Sequence, residues 1–140
     1  MMSAFWWAAL TACIWGVVPL IEKLGLSRSD PTTGVFARSV GIVLGLVVFG
    51  LWWSPWKALG ELPIRSFALL ALGGFLASFL GQLAFYHALK LGQLSQVTPI
   101  AGAYPLVAAV LGWLLLREPM SPARLLGAVL VILGVTLLRR

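Results

Sequence analysis

Five apolar runs of about twenty residues follow one another along this 140-residue chain, separated by short polar links. No other feature restricts the fold as much. A helix that crosses a bilayer needs roughly 20 mainly apolar residues. The runs at 4–21, 33–53, 66–89, 97–116 and 122–138 meet that length. They are bounded by charges and turn formers: Glu22-Lys23, Ser27-Arg28-Ser29-Asp30-Pro31, Ser54-Pro55, Arg117-Glu118, Met120-Ser121-Pro122 and Arg139-Arg140. Ser121-Pro122 reads as an N-cap followed by proline at the first helical position. Membrane β-strands would show alternating segments of about ten residues. The runs here are continuous and longer, so helices are expected.

Composition agrees. Apolar residues make up 61% and charged residues 10% of the chain, against about 45–50% and about 25% in a soluble domain. A soluble fold of this size could not bury so much apolar surface, and disorder needs the opposite balance. The sequence therefore predicts an all-α integral membrane protein. It has a single five-helix domain over residues 1–140, with the lipid bilayer as solvent. Met1-Met2-Ser3 lacks the basic start of a signal peptide, so the first run is expected to stay as an anchor.

The net charge of +6 does not point to nucleic acid. The ten Lys and Arg residues are scattered between the apolar runs, as in membrane-protein loops, and form no basic stripe with interleaved aromatics. Cys13 is the single cysteine and cannot form an internal disulfide. The four acids, Glu22, Asp30, Glu61 and Glu118, make no close pair on one helix face. His87 has no Cys or carboxylate at metal-ligand spacing, and no nucleophile–base set is visible. No enzyme activity, cofactor or metal is expected.

Trp6 and Trp7 open the first run, and Trp52, Trp53 and Trp56 close the second. Two spans bring both clusters to one membrane face, as an aromatic belt. Ala37/Gly41/Gly45, Gly73/Ala77/Gly81 and Gly127/Gly134 mark faces where helices can approach closely.

Five spans put the termini on opposite sides. The N-terminal side then holds Lys57, Arg65, Arg117 and Arg124; the other holds Lys23, Arg28, Lys90, Arg139 and Arg140, with Arg38 as a sixth if it snorkels there. The positive-inside bias is small. Two readings remain open: insertion in both orientations, or a weakly biased chain with its C-terminus in the cytoplasm. Oppositely inserted copies would form an antiparallel dimer with the inverted symmetry that many transporters build from repeats.

Polar residues inside the runs are the candidate site. Arg38, in the second run, either snorkels or faces a cavity and meets an anionic group. Ser78, Gln82, Tyr86 and Lys90 recur every four residues on the third helix, as interhelical glue or as the wall of a polar path. Trp7, Thr11, Trp15 and Pro19 form an aromatic face on the first, for packing or for stacking on a ring or cation. Pro99 and Pro105 flank Ala101-Gly102-Ala103-Tyr104 in the fourth. Interrupted helices point to transporter binding sites, so Pro105 is either a functional kink or a tolerated one. Glu118 either holds Arg124 or caps the next helix.

Ala88-Leu89-Lys90, Ser95, Val97-Thr98-Pro99-Ile100, Pro105, Glu118 and Gly127-Ala128 to Gly134-Val135, in this order, resemble the EamA domain, the repeat unit of the drug/metabolite transporter superfamily. Trp15-Gly16, Lys23 and Arg38 are similar in the first half. Most members of that superfamily carry two such repeats of opposite topology. The resemblance therefore implies a half-size transporter that must pair, as an antiparallel homodimer or with a sister half-transporter, and that moves a small metabolite or drug across a bacterial inner membrane. A more distant similarity is to the small multidrug resistance proteins, whose coupling glutamate stands eight residues before a lysine. With Lys23 as that lysine, Trp15 takes the acid's place. Facilitated diffusion or exchange is then at least as well supported as proton coupling.

The expected substrate path is lined by Thr11, Trp15, Ser78, Gln82, Tyr86 and Tyr104 near the kink at Pro105, with Arg38 neutralising an anionic group. The alternative is a membrane assembly subunit that transports nothing itself.

Overall fold

The computed structural model describes residues 3–119 and 121–138, with the side chains of residues 4, 124 and 138 outside the description. The expected stop at Arg139-Arg140 and the pairing of Glu118 with Arg124 fall outside what is described.

The described residues are mainly helical. In order the helices are α1 (Ala4–Gly25), α2 (Pro31–Trp53), α3 (Trp56–Gly60), α4 (Ile64–Phe75), α5 (Gln82–Leu91), α6 (Leu94–Ala101), α7 (Tyr104–Leu116) and α8 (Pro122–Leu138). A π-helical turn, Leu76–Gly81, joins α4 to α5. Four stretches are long and apolar enough to cross a membrane: Phe5–Arg28, Pro31–Trp53, Ile64–Leu91 and Leu94–Leu116. The apolar stretch Leu125–Leu137 is shorter.

Two compact units result, residues 1–91 and 92–140. In the first, α5 packs against α1, α2 and the 3₁₀ turn Leu26–Arg28. Its buried apolar residues are Leu26, Val35, Tyr86 and Leu89, each at most 3% exposed. The core thus sits where α1 turns into α2. Gly34 lets this packing close: a Cβ there would lie 2.6 Å from Leu26 Cδ2 and 3.0 Å from the Tyr86 ring.

Local chemistry explains the helix ends. Asp30 caps α2 by accepting from Thr33 N at 2.9 Å, and Pro31 follows at the position where a missing N–H costs nothing. Hydrogen bonds from the Thr33 side chain and backbone hold the Asp30 carboxyl below its usual value. That cap is therefore kept above the ordinary carboxylate range and lost as pH falls below it. At the other end of α2, Ser54 adopts a left-handed conformation (φ 47°), its N–H donates to Gly50 O, and the Trp56 indole lies over Gly50. In the second unit α6 packs on α8. Arg117 ends α7 at φ 55°, which folds Glu118 back so that its N–H meets Gly112 O at 3.1 Å and its carboxylate lies beside that glycine.

Two features differ from the sequence expectation. First, α1 does not stop at Glu22-Lys23 but runs to Gly25. Both charges find partners on neighbouring helices, so neither needs to leave the bundle. Second, the fourth run is broken at Gly102-Ala103 into α6 and α7. Pro105 has no N–H to give the Ala101 carbonyl and its ring would crowd that group. It sits in the first turn of α7, where neither matters.

Candidate functional site

Glu22 is the centre of the polar interior of the first unit. It stands in the last turn of α1 with its side chain 10% exposed. Three groups from two other helices converge on its Oε1. Arg38 Nε of α2 lies 3.3 Å away. From α5, Gln82 Nε2 and Tyr86 Oη each donate at 3.0 Å. Each carboxylate oxygen offers about two lone-pair sites; on Oε1 these take the Gln82 and Tyr86 hydrogen bonds, and Arg38 adds the ion pair. The ion pair partly offsets the cost of a charge among apolar side chains, and the neutral donors offset more of it. Next to Glu22, Lys23 extends Nζ to the Leu89 carbonyl at 2.7 Å, which binds α1 to α5 a second time.

Helix spacing brings these residues together. Gln82 and Tyr86 are four apart on α5 and present one face. The π-helical turn Leu76–Gly81 comes directly before Gln82. Tyr86 reaches α1 because its ring lies against Gly34. Arg38 lies two turns beyond the start of α2, level with the end of α1 as the short link returns the chain. Its Nη1 is buried and donates to no acceptor.

The structure thus gathers three of the sequence-derived candidates, Arg38, Gln82 and Tyr86, around a residue the sequence reading left out. Arg38 does meet an anionic group, and that group is the protein's own Glu22. The other candidates stand elsewhere. Thr11 donates to Trp7 O within its own helix. Trp15 is 57% exposed on α1. Ser78 is half-buried in the π-helical turn. Lys90 lies at the helix ends, lining a groove of about 740 Å³ with Arg28, Asp30 and His87. Tyr104 and Pro105 are exposed at the start of α7 in the second unit. The sequence hides Glu22 because a charge pair closing an apolar run looks like a span boundary. The available signal is its spacing: Glu22 follows Trp15 and Val18 on one α1 face.

Among the described residues, no group of three or more His, Cys, Asp or Glu side chains could hold a metal ion. The arrangement is an ion pair with two neutral donors, set between helices long and apolar enough to cross a membrane.

Comparison with known proteins supports a transport role. A Sinorhizobium protein named as an uncharacterized transporter in the cobO 3'region is 30% identical over 139 residues, which are 98% of each chain. An uncharacterized transporter of Pseudomonas aeruginosa is 33% identical over 87% of this chain but only 41% of its own length. An uncharacterized protein of Methanocaldococcus jannaschii is 26% identical over 92% of this chain and 90% of its own. No solved structure matches. The model of the EamA-like transporter family matches residues 2–140, and with its membrane-spanning helices the chain belongs to that family of integral membrane transporters.

Proposed function

We propose that the chain moves a small polar or amphipathic solute across a bacterial inner membrane, working as an antiparallel dimer. The observation that carries this reading is the ion pair of Glu22 and Arg38 with Gln82 and Tyr86, held between membrane-spanning helices. Ionisable groups in membrane-spanning helices are costly to insert, up to about 2.5–3.5 kcal/mol at the bilayer centre and less toward a helix end. A bundle built only for packing has no need of them.

Three further points support pairing. With the shorter α8 taken as a fifth span and Arg38 held by Glu22, the charge count is four Lys/Arg on one side and five on the other. That near balance favours insertion in both orientations. A Cβ placed at Gly41, Gly45 or Gly73 would meet nothing within 4 Å, which leaves these small-residue faces open to a second chain. The Pseudomonas relative is more than twice as long as the part this chain matches, enough for a second unit of the same kind. In this reading Gln82, Tyr86 and Arg38 lie on the solute path. Ser78, Trp15 and Thr11 extend it along the first unit, and Tyr104 with Pro105 is a separate candidate surface of the second unit. The two relatives named as transporters are bacterial, which favours the inner membrane.

Three experiments test this. Reporters fused after Arg140, one active only in the cytoplasm and one only outside, are both expected to give signal; signal from one alone rejects dual insertion of this chain. In reconstituted vesicles, Gln82→Leu and Tyr86→Phe are each expected to cut solute flux at least about tenfold. Undiminished flux removes these residues from the path. Co-purification of differently tagged copies is expected to recover both tags; a foreign partner recovered in equal amount instead supports the assembly-subunit reading.

A further inference from the structure

We infer that the Glu22–Arg38 pair is a site that takes up one small organic anion together with one proton. The inference rests on the transporter reading and narrows its cargo.

Charge balance decides which cargo the pair can accept. Glu22 and Arg38 cancel, and their partners Gln82 and Tyr86 are neutral. Leu26, Val35 and Leu89, within four residues of Glu22, Arg38 and Tyr86 along the chain, are buried and apolar. In such a place an unpaired charge costs several kcal/mol, so every occupied state should stay near neutrality. The two members of the pair respond differently to a cargo. A cation that takes Glu22 strands the Arg38 guanidinium, and arginine cannot lose its proton. An anion that takes Arg38 strands the Glu22 carboxylate, and a carboxylate can be discharged by one proton. Only the second exchange leaves no uncompensated charge.

The balance is complete. The cargo anion pairs with the guanidinium. A proton from water forms one O–H bond on Glu22. No other bond changes, and release reverses both events. The donors for an anion are present. Arg38 meets Glu22 through Nε, while its Nη1 is buried with no hydrogen-bond acceptor. Once Glu22 is a neutral acid, Gln82 Nε2 and Tyr86 Oη can donate elsewhere. Guanidinium forks match carboxylate, sulfonate and phosphate oxygens. Trp15 lies two turns before Glu22 on α1, so an anion with an aromatic or apolar tail suits that face.

Other charged groups on these elements have partners of their own or line the groove at the helix ends. Lys23, on α1, donates to Leu89 O. From the α2 end, Asp30 caps its helix through Thr33. From α5, His87 and Lys90 line the groove at the helix ends with Arg28. Glu22 is thus the carboxylate that faces Arg38, and Tyr86 the other titratable group that touches Glu22.

The test uses the purified full chain in detergent micelles, with three probes of similar size. Benzenesulfonate stays ionised at every working pH, so any proton taken up belongs to the protein. Benzenesulfonamide is the neutral probe and benzyltrimethylammonium the cation. Calorimetry in buffers of different ionisation enthalpy counts protons. Benzenesulfonate is expected to bind with uptake approaching one proton per anion. Where Glu22 starts ionised, its affinity should weaken about tenfold for each pH unit of rise. The other two probes should bind at least about tenfold more weakly. Glu22→Gln keeps the shape and the neutral charge of the protonated acid; it should bind benzenesulfonate with no proton uptake and a flat pH profile. Arg38→Gln should lose anion binding, and Arg38→Lys, which preserves the charge, should keep part of it. Benzenesulfonate binding without proton uptake overturns the inference. So does cation binding with proton release, or no benzenesulfonate binding by the folded wild type. If the inference fails while flux of a neutral or cationic solute still depends on Gln82 and Tyr86, the transporter reading stands alone. If the proton-linked anion binds and flux ignores those residues, the proposed path falls and the anion site stands.

Discussion

The body of α1 and its last turn both carry polar side chains and treat them differently. In the body, Thr11 turns back on Trp7 O of its own helix, and Trp15 stays largely exposed. In the last turn, Glu22 and Lys23 reach across to α2 and α5. Side-chain length and backbone spacing explain the contrast. A threonine hydroxyl is short and can always satisfy itself on the carbonyl four residues back. A glutamate or lysine cannot, and in lipid it must find a partner on another helix. The helices approach each other closely at that end because Gly34 admits the Tyr86 ring. The lesson is that hydroxyl spacing on a membrane helix says little about tertiary contact, whereas a long ionisable side chain says much.

The largest break in this contrast is expected from Glu22→Leu. It strands the Arg38 guanidinium. The cost should be about 2 kcal/mol, less than the roughly 3–5 kcal/mol of a fully buried pair, because the Arg38 side chain is 30% exposed. Thermal melting in detergent should show the loss, and adding Arg38→Leu should restore most of it. A double variant no more stable than the single one would mean that the pair is not coupled.

Gly34→Val comes next. Its Cβ overlaps Leu26 Cδ2 and presses on the Tyr86 ring. Overpacking of this kind costs about 1–3 kcal/mol, and the ring must withdraw from Glu22. Melting and solute flux should fall together. An unchanged melting temperature would show that the α2–α5 approach is looser than the 3.0 Å clearance implies.

Tyr86→Phe removes one hydroxyl and keeps the ring. The lost hydrogen bond should cost about 1 kcal/mol, since Gln82 and Arg38 still hold the carboxylate. The smallest effect belongs to the body of α1. Thr11→Val should shift stability by less than about 0.5 kcal/mol, because the hydroxyl serves only its own helix. A Thr11 effect as large as that of Tyr86 would erase the distinction between the body of α1 and its last turn.

Much of the site is legible in the amino-acid order. Gln82 and Tyr86 stand out as a four-residue polar stripe in an apolar run, and Arg38 as a charge inside another. Glu22 does not stand out, because a Glu-Lys pair at the end of eighteen apolar residues has the look of a membrane boundary. The break at Gly102-Ala103 is half visible: the prolines announce it, but its place depends on which residue Pro105 leaves without a hydrogen bond.

Membrane insertion, helical architecture and the approximate spans follow from composition and run length, because the bilayer imposes one length scale and forbids unpaired backbone groups. Those are local properties, readable residue by residue. The meeting of Glu22, Arg38, Gln82 and Tyr86 is not local. It depends on how α1, α2 and α5 rotate and slide until Leu26, Val35, Gly34 and Leu89 fit, and that fit fixes which charge faces which.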